Sequence, residues 1–217
     1  MNALPRQRLR LIYRKDDVLK YIGHQDLLRF IFRMLRRAGI PYATSGKYSP
    51  KPRVSFGPAL PLGVSAAREL LDIELTEETH WNAAVIDSAA AKLVEAAAPR
   101  DLVVALDALA PGTPTLSKLI AQARYELEFA GEASRLEMLP SALDGPLISE
   151  HHNKNRDLKP AILRYKLQGN ALQLDALAGS AMNLNIVQLA KLLSASCGVR
   201  CVSMHRACLL TDAGERL

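Results

Sequence analysis

The spacing of apolar residues switches repeatedly between two residues and three to four residues, and this restricts the fold more than any other feature of the sequence. A period of two indicates a strand with one buried face, and a period of three to four indicates an amphipathic helix. Over the first half the order is β-α-β-β-α-β, which is typical of a ferredoxin-like domain. The predicted strands are residues 8–14, 53–57, 70–75 and 102–109, and the predicted helices are residues 23–38 and 81–97.

The same order recurs after a proline-containing linker at residues 111–114. The Gly169-Asn170 pair predicts a tight turn between two of the later strands, and residues 145–159 are expected to form an irregular connection. The predicted strands are residues 124–129, 162–167, 172–177 and 199–210, with helices at 132–143 and 185–196. The sequence therefore predicts an α+β protein of two tandem ferredoxin-like domains, residues 1–112 and 113–217.

Positive charge is concentrated in the first sixty residues. They contain thirteen Lys and Arg against three Asp, a net charge of +10, so that the remaining residues carry −4 of the overall +6. A surface of this kind most often faces a polyanion, and RNA is the partner we expect. A solvated basic surface without a partner is the alternative.

The first predicted helix carries four arginines on the side away from its apolar positions: Arg29, Arg33, Arg36 and Arg37. The planar guanidinium group can donate two parallel hydrogen bonds to a phosphate. We therefore predict a nucleic-acid-binding face here. The alternative is a solvated helix face on which Asp26 pairs with Arg29, three residues later.

A second basic segment follows at residues 45–53, with the sequence SGKYSPKPR. Its two prolines favour an extended backbone, and an aromatic side chain between cations could stack on a base, as in single-strand binders. The alternative is a stiff, soluble loop. The nucleic-acid-binding residues predicted in this segment are Lys47, Tyr48, Ser49, Lys51 and Arg53.

Charged residues also alternate with apolar ones on two strands that would be neighbours in a ferredoxin-like sheet. Arg8 and Arg10 share one face of the first strand, and Asp72 and Glu74 share one face of the strand beside it. We expect cross-strand ion pairs between these arginines and carboxylates rather than ligand contacts.

His24 lies at the start of the first predicted helix and is the one candidate catalytic residue. Beside a basic face, an imidazole can act as a general acid or base in metal-independent RNA cleavage. The alternative is a packing or capping role. Walker, G-x-S-x-G and H-E-x-x-H motifs do not occur.

Three cysteines, Cys197, Cys201 and Cys208, follow a C-x3-C-x6-C spacing that fits neither a zinc site nor the C-x3-C-x2-C run of radical-SAM enzymes. We interpret them as small buried apolar side chains and expect no metal or other cofactor. No apolar run reaches the roughly 20 residues of a membrane span, and no secretory signal is apparent. A cytoplasmic protein without membrane contact is expected.

Four motifs resemble an uncharacterised bacterial domain family found fused or adjacent to radical-SAM proteins: LRLIYRK, YIGHQDLLRF, LRRAGIP and SGKYSPKPRVSFGPALPLGV. The similarity is strongest over residues 8–78 and is traceable around Asp157–Pro160. Family members tend to carry Asn and His in the central loop, where this chain has Ser49 and Lys51, so that His24 is the only matching histidine. The resemblance implies a radical-SAM partner and a role in RNA modification or processing.

Three functional hypotheses follow. The first is an RNA-binding accessory protein that acts with a radical-SAM partner and is not itself catalytic. The second is a metal-independent RNA endonuclease that uses His24. The third is a scaffold whose basic face docks an acidic protein, such as the radical-SAM partner.

Overall fold

The computed structural model describes residues 7–46, 48, 50–76, 81–151 and 154–217. The chain divides into two compact units, Met1–Leu62 with Ala66–Leu119, and Gly63–Ser65 with Ile120–Leu217. Both units combine antiparallel strands with helices, so the predicted α+β class is confirmed. Among the described residues, no helix has the length and apolar character needed to cross a membrane.

The first unit places its two longer helices against one face of a four-stranded antiparallel sheet with the order β4-β5-β1-β6. Its strands are β1 (Arg8–Lys15), β2 (Thr44–Ser45), β3 (Lys51–Pro52), β4 (Val54–Phe56), β5 (Ser65–Glu74) and β6 (Val103–Leu109). Its helices are α1 (His24–Arg37), α2 (Ala83–Ala96) and the single turn α3 (Leu116–Leu119).

Alternation along β1 and β5 produces the core of this unit. Leu9 lies opposite Ile73 and Leu11 lies opposite Leu71, and all four side chains are fully buried. They pack with Ile31 and the other apolar positions of α1, and with the apolar face of α2. Burial of apolar surface at about 25 cal/mol per Å² is the main stabilisation of such a layer. The arginine-rich side of α1 therefore faces solvent.

The second unit has the same order of major elements and a sheet with the order β10-β11-β7-β12. Its strands are β7 (Gln122–Ala130), β8 (Ile148–His151), β9 (Lys154–Asp157), β10 (Ile162–Gln168), β11 (Ala171–Leu177) and β12 (Arg200–Leu210). Its helices are α4 (Ala133–Leu136), α5 (Leu139–Asp144) and α6 (Ile186–Cys197). As predicted, a two-residue turn joins β10 to β11, and Gly169 in this turn has a positive φ of 60°.

Three local features outside the basic segment differ from the predictions. The helix expected at 132–143 is two short helices, because Pro140 lies in the first turn of α5 and has no amide N–H to continue the helical hydrogen bonds from α4. The connection expected to be irregular at 145–159 contains the hairpin of β8 and β9. Strand β5 begins at Ser65, five residues before its predicted start, because its early residues lack an apolar alternation that would reveal it.

Candidate nucleic-acid interface

The exposed side of α1 presents four arginines, Arg29, Arg33, Arg36 and Arg37, which we call the arginine face. Consecutive arginines of this set are four, three and one residues apart. They lie on one side of the helix because each residue advances about 100° around the axis. Arg36 and Arg37 are in the last turn, where the helix dipole favours cations. The helix ends at Arg37, with Ala38 as the C-cap residue, and Gly39 follows with φ of 69°.

The members of the arginine face differ in their ion pairing. The Nη1 atom of Arg29 lies 3.0 Å from Oδ1 of Asp26, which is the predicted pair. Both side chains are largely exposed, and such a pair contributes about 0–1 kcal/mol. Among the residues that the structure describes, Arg33, Arg36 and Arg37 form no ion pair.

The basic segment at 45–53 is a small hairpin rather than a loop without secondary structure. Strands β2 and β3 pair, with Ser45 opposite Lys51. Tyr48 lies between them and is 93% exposed, and Lys51 is also exposed. Exposure of this kind is compatible with stacking on a base. Lys47 and Ser49 lie outside the described residues.

Arg53 is held by a carboxylate of its own unit. Its Nε atom lies 2.7 Å from Oε2 of Glu74, and both side chains are about half-buried. The backbones are joined as well, because the Glu74 amide donates to the Arg53 carbonyl oxygen over 3.0 Å. Among the predicted nucleic-acid-binding residues that the structure describes, Arg53 is therefore the one whose charge the fold neutralises most directly.

The predicted ion pairs across β1 and β5 form in part. Arg10 makes a bidentate pair with Asp72, with 2.7 Å from Nε to Oδ1 and 3.0 Å from Nη2 to Oδ2. Nη1 of Arg8 lies 3.7 Å from Oδ2 of Asp72, and the Arg8 guanidinium also donates to the carbonyl oxygen of Thr113. Glu74 binds Arg53 instead of either strand arginine.

The second unit contains an equivalent of this pair that the sequence analysis did not detect. Arg124 on β7 binds Asp175 on β11 through Nε to Oδ1 at 2.7 Å and Nη2 to Oδ2 at 2.9 Å. Nε of Arg164 adds a third bond of 2.6 Å to the same carboxylate. Hydrogen bonds from Arg124 above all, and then from Arg164, lower the pKa of Asp175. In each unit the first major strand supplies the arginine and the third supplies the aspartate.

His24 lines a small pocket together with three buried ionisable side chains, Tyr13, Lys15 and Glu69. Its ring packs edge-on against Phe56, with 5.4 Å between ring centroids and 80° between the planes. Lys15 is 1% exposed and Glu69 is 4% exposed. Each of the three buried residues has an interaction partner in the structure. We call this site the His24 pocket.

Lys15 and Glu69 were missed by the sequence analysis although a signal exists for both. Lys15 continues the buried odd-numbered positions Leu9, Leu11 and Tyr13 on β1. Glu69 is in phase with the buried Leu71 and Ile73 on β5, but it precedes the predicted start of that strand. Charged residues are rarely buried without partners, so this alternation does not by itself predict a lysine or a glutamate on the core side.

The cysteines are thiols without a disulfide, and Cys197 and Cys208 are buried. Burial raises the pKa of the Cys197 and Cys201 thiols, which keeps them protonated at neutral pH. Within the described ranges, no cluster of three metal-ligating side chains is found.

Comparison with solved structures finds similar chains of low identity, among them the following two. A chain in the crystal structure of a Cbf5-Nop10-Gar1 complex has a TM-score of 0.46 and 11% identity, covering 93% of this chain and 50% of its own length. A chain in the archaeal box H/ACA sRNP Nop10-Cbf5 complex has a TM-score of 0.44 and 10% identity, with coverages of 93% and 49%. This chain thus spans about half the length of either of these chains. With TM-scores below 0.5, the similarity supports no conclusion about function.

Comparison with sequences gives a family. No curated protein matches the chain. A family model described as an uncharacterized protein conserved in bacteria, DUF2344, matches residues 8–187, which includes β1, the arginine face, the hairpin of β2 and β3 and most of the second unit. The chain therefore belongs to the DUF2344 family of bacterial proteins.

Proposed function

We propose that this protein binds RNA through the arginine face and the hairpin of β2 and β3, as a non-catalytic accessory to an RNA-modifying or RNA-processing partner. The observation that carries the proposal is the set of exposed cations on α1 whose charge the described residues do not balance. Lys51 adds a further exposed cation, and Tyr48 adds an exposed aromatic ring. Phosphates would bind the guanidinium groups, and Tyr48 would stack on a base.

A radical-SAM protein is the partner we propose, because the motifs in residues 8–78 resemble a domain found fused or adjacent to such proteins.

The proposal also covers the domain architecture. We infer that the two units are tandem ferredoxin-like domains, residues 1–112 and 113–217, since both have the β-α-β-β-α-β order and the same strand order. Limited proteolysis tests this boundary through cleavage within residues 111–114.

Binding of a single-stranded RNA should weaken steeply with salt. Each phosphate contact on a single strand contributes about 0.7 to the slope of log K against log salt concentration, so about four or five contacts predict a slope of about −3. Fluorescence anisotropy of a labelled oligonucleotide, titrated from about 50 to 300 mM KCl, measures this slope. An affinity independent of salt, or no binding at any salt concentration, would reject the proposal.

The His24 pocket favours a second candidate, the metal-independent RNA endonuclease. An imidazole that lines a pocket together with a lysine and a glutamate offers a proton-transfer group with charged neighbours. Because Lys15 and Glu69 are buried, they would position groups of the pocket rather than contact the phosphate.

If the protein is such an enzyme, it should cleave RNA in the presence of EDTA. His24→Ala should then lower the rate about 10²–10⁴-fold, because a positioned general acid or base contributes that much, and RNA affinity should stay unchanged. His205→Ala is the matched control, since it removes a histidine that does not line the His24 pocket. Binding without cleavage, or equal rates in the two variants, would dismiss the endonuclease.

A further inference from the structure

A groove lies where the C-terminal end of α1 meets the first turns of α2. It encloses about 450 Å³ and is lined by Ala38–Pro41 on one side and by residues between Trp81 and Lys92 on the other. Small side chains form most of its wall. A volume of this size is in the range of small-molecule sites, which are apolar with a few well-placed polar groups.

The polar groups of the groove are mainly hydrogen-bond donors. The indole Nε1 of Trp81 is buried and has no hydrogen-bond partner within the described chain. The side-chain oxygen of Asn82 accepts from the Val85 amide over 3.0 Å and caps α2, so its amino group is the part that can serve a ligand. Lys92 contributes a cation, and none of the described lining residues is acidic.

An unpaired indole N–H is a reason to expect a ligand. A buried donor without an acceptor is unfavourable, and indole nitrogens that are buried usually have a partner. This nitrogen has almost no accessible surface, so an acceptor on a ligand would pair with it once the indole ring turns toward the groove. A positively charged ligand is disfavoured by Lys92, and the described lining residues include no carboxylate that would attract one.

The position of the groove connects it with the arginine face. Arg36 and Arg37 end the face, and the next residue, Ala38, begins the lining of the groove. An RNA strand bound to Arg36 and Arg37 would therefore lie near the backbone that begins this lining. The occupant that matches donors, a cation and an aromatic ring is planar, rich in acceptors and anionic, which describes a nucleotide.

We propose that this groove binds one unpaired nucleotide of the RNA, with the base against Trp81 and the phosphate toward Lys92. The inference rests on the proposed RNA-binding function and names the form of RNA that is recognised. A base within a duplex is stacked and paired, so it cannot enter the groove. The protein should prefer a single strand over a duplex of the same sequence, because stacking on an aromatic ring stabilises unpaired bases.

Tryptophan fluorescence tests this directly because Trp81 is the only tryptophan in the chain. Titration with uridine monophosphate should change the emission in a saturable way, whereas ribose 5-phosphate, which lacks the base, should not. Ser88→Leu fills the groove and should weaken nucleotide binding roughly tenfold or more. Ala91→Leu is the matched control, since Ala91 is an exposed α2 residue that does not line the groove, and it should bind within about twofold of wild type.

RNA binding is measured in parallel by anisotropy, which separates the nucleotide site in the groove from the proposed RNA-binding function. If RNA binds in a salt-dependent way but neither RNA nor the mononucleotide changes Trp81 emission, the groove proposal is overturned and the RNA-binding function stands. If the mononucleotide binds and Ser88→Leu abolishes this while no RNA binds, the groove stands and the RNA-binding function fails. Equal responses to ribose 5-phosphate and uridine monophosphate would also overturn the groove, because they would reveal an anion effect only.

Discussion

Replacement of Arg33, Arg36 and Arg37 by glutamate should weaken RNA binding about 10²–10³-fold near 100 mM salt. Each of these exposed cations is expected to contact a phosphate, and loss of three such contacts should also reduce the salt slope by about 2. The expected result follows from their lack of ion pairs in the described part of the chain. Anisotropy titrations at several salt concentrations measure both quantities.

The matched control carries the same change of net charge in the second unit. Lys166, Lys191 and Arg200 are also exposed, so their replacement by glutamate shifts the total charge equally and leaves the arginine face intact. It should bind within a few-fold of wild type. Equal losses in the two variants would mean that affinity follows net charge alone and would contradict an interface on α1.

A second variant separates binding from folding of the helix. Glutamate near the C-terminal end of α1 opposes the helix dipole, whereas glutamine removes the charges and has a good helix propensity. Glutamine at the same three positions should keep the circular dichroism spectrum and still lose most of the affinity. If RNA binding is unchanged while binding to an acidic protein is lost, the scaffold hypothesis gains the support instead.

Asp72→Asn should lower the free energy of unfolding by about 3–5 kcal/mol, because it leaves the guanidinium group of Arg10 buried without its counter-charge. Asp72 is 2% exposed and Arg10 is 12% exposed, so water cannot replace the carboxylate. Asp175→Asn should lower the free energy of unfolding by less, about 1–3 kcal/mol, because the side chains of Arg124 and Arg164 are 35% and 66% exposed. Urea denaturation of both variants measures the difference.

Asp107→Asn is the control for the first variant. Asp107 lies opposite Arg10 on β6 but is exposed, so its replacement should change stability by less than about 0.5 kcal/mol. A similar loss of stability in Asp72→Asn and Asp107→Asn would show that burial of the bidentate pair does not explain the effect of Asp72→Asn.

The Asp175 variant also has a pH signature. Because the arginines lower the pKa of Asp175 in the folded protein, its stabilising contribution is complete above the unfolded value of about 4. It is lost as the pH falls through the lower, folded pKa. The difference in stability between wild type and Asp175→Asn should therefore be constant at neutral pH and shrink below about pH 4. A difference that grew on acidification would contradict this assignment.

Local periodicity predicted most of the secondary structure. The apolar positions of α1, and the alternation on β1, β7 and β11, are properties of neighbouring residues, so the sequence alone determined these elements and the exposed side of the helix. The boundaries of strands could not be predicted where the apolar pattern is weak, as in the early part of β5 and in the hairpin of β8 and β9. The arginine face is such a local property and could be predicted in full.

The charge balance depends on partners far apart in the sequence, and only the tertiary structure decided it. The +10 of the first sixty residues suggested one dense basic surface. Folding pairs Arg10 with Asp72 and Arg53 with Glu74, and it buries Lys15. These three cations are therefore less available to a ligand than the exposed arginines of α1. Strand register sets which side chains meet, since a shift of one residue moves each of them to the other face. The sequence thus determined where the positive charges are along the chain, and the three-dimensional pairing determined which of them can act on a partner.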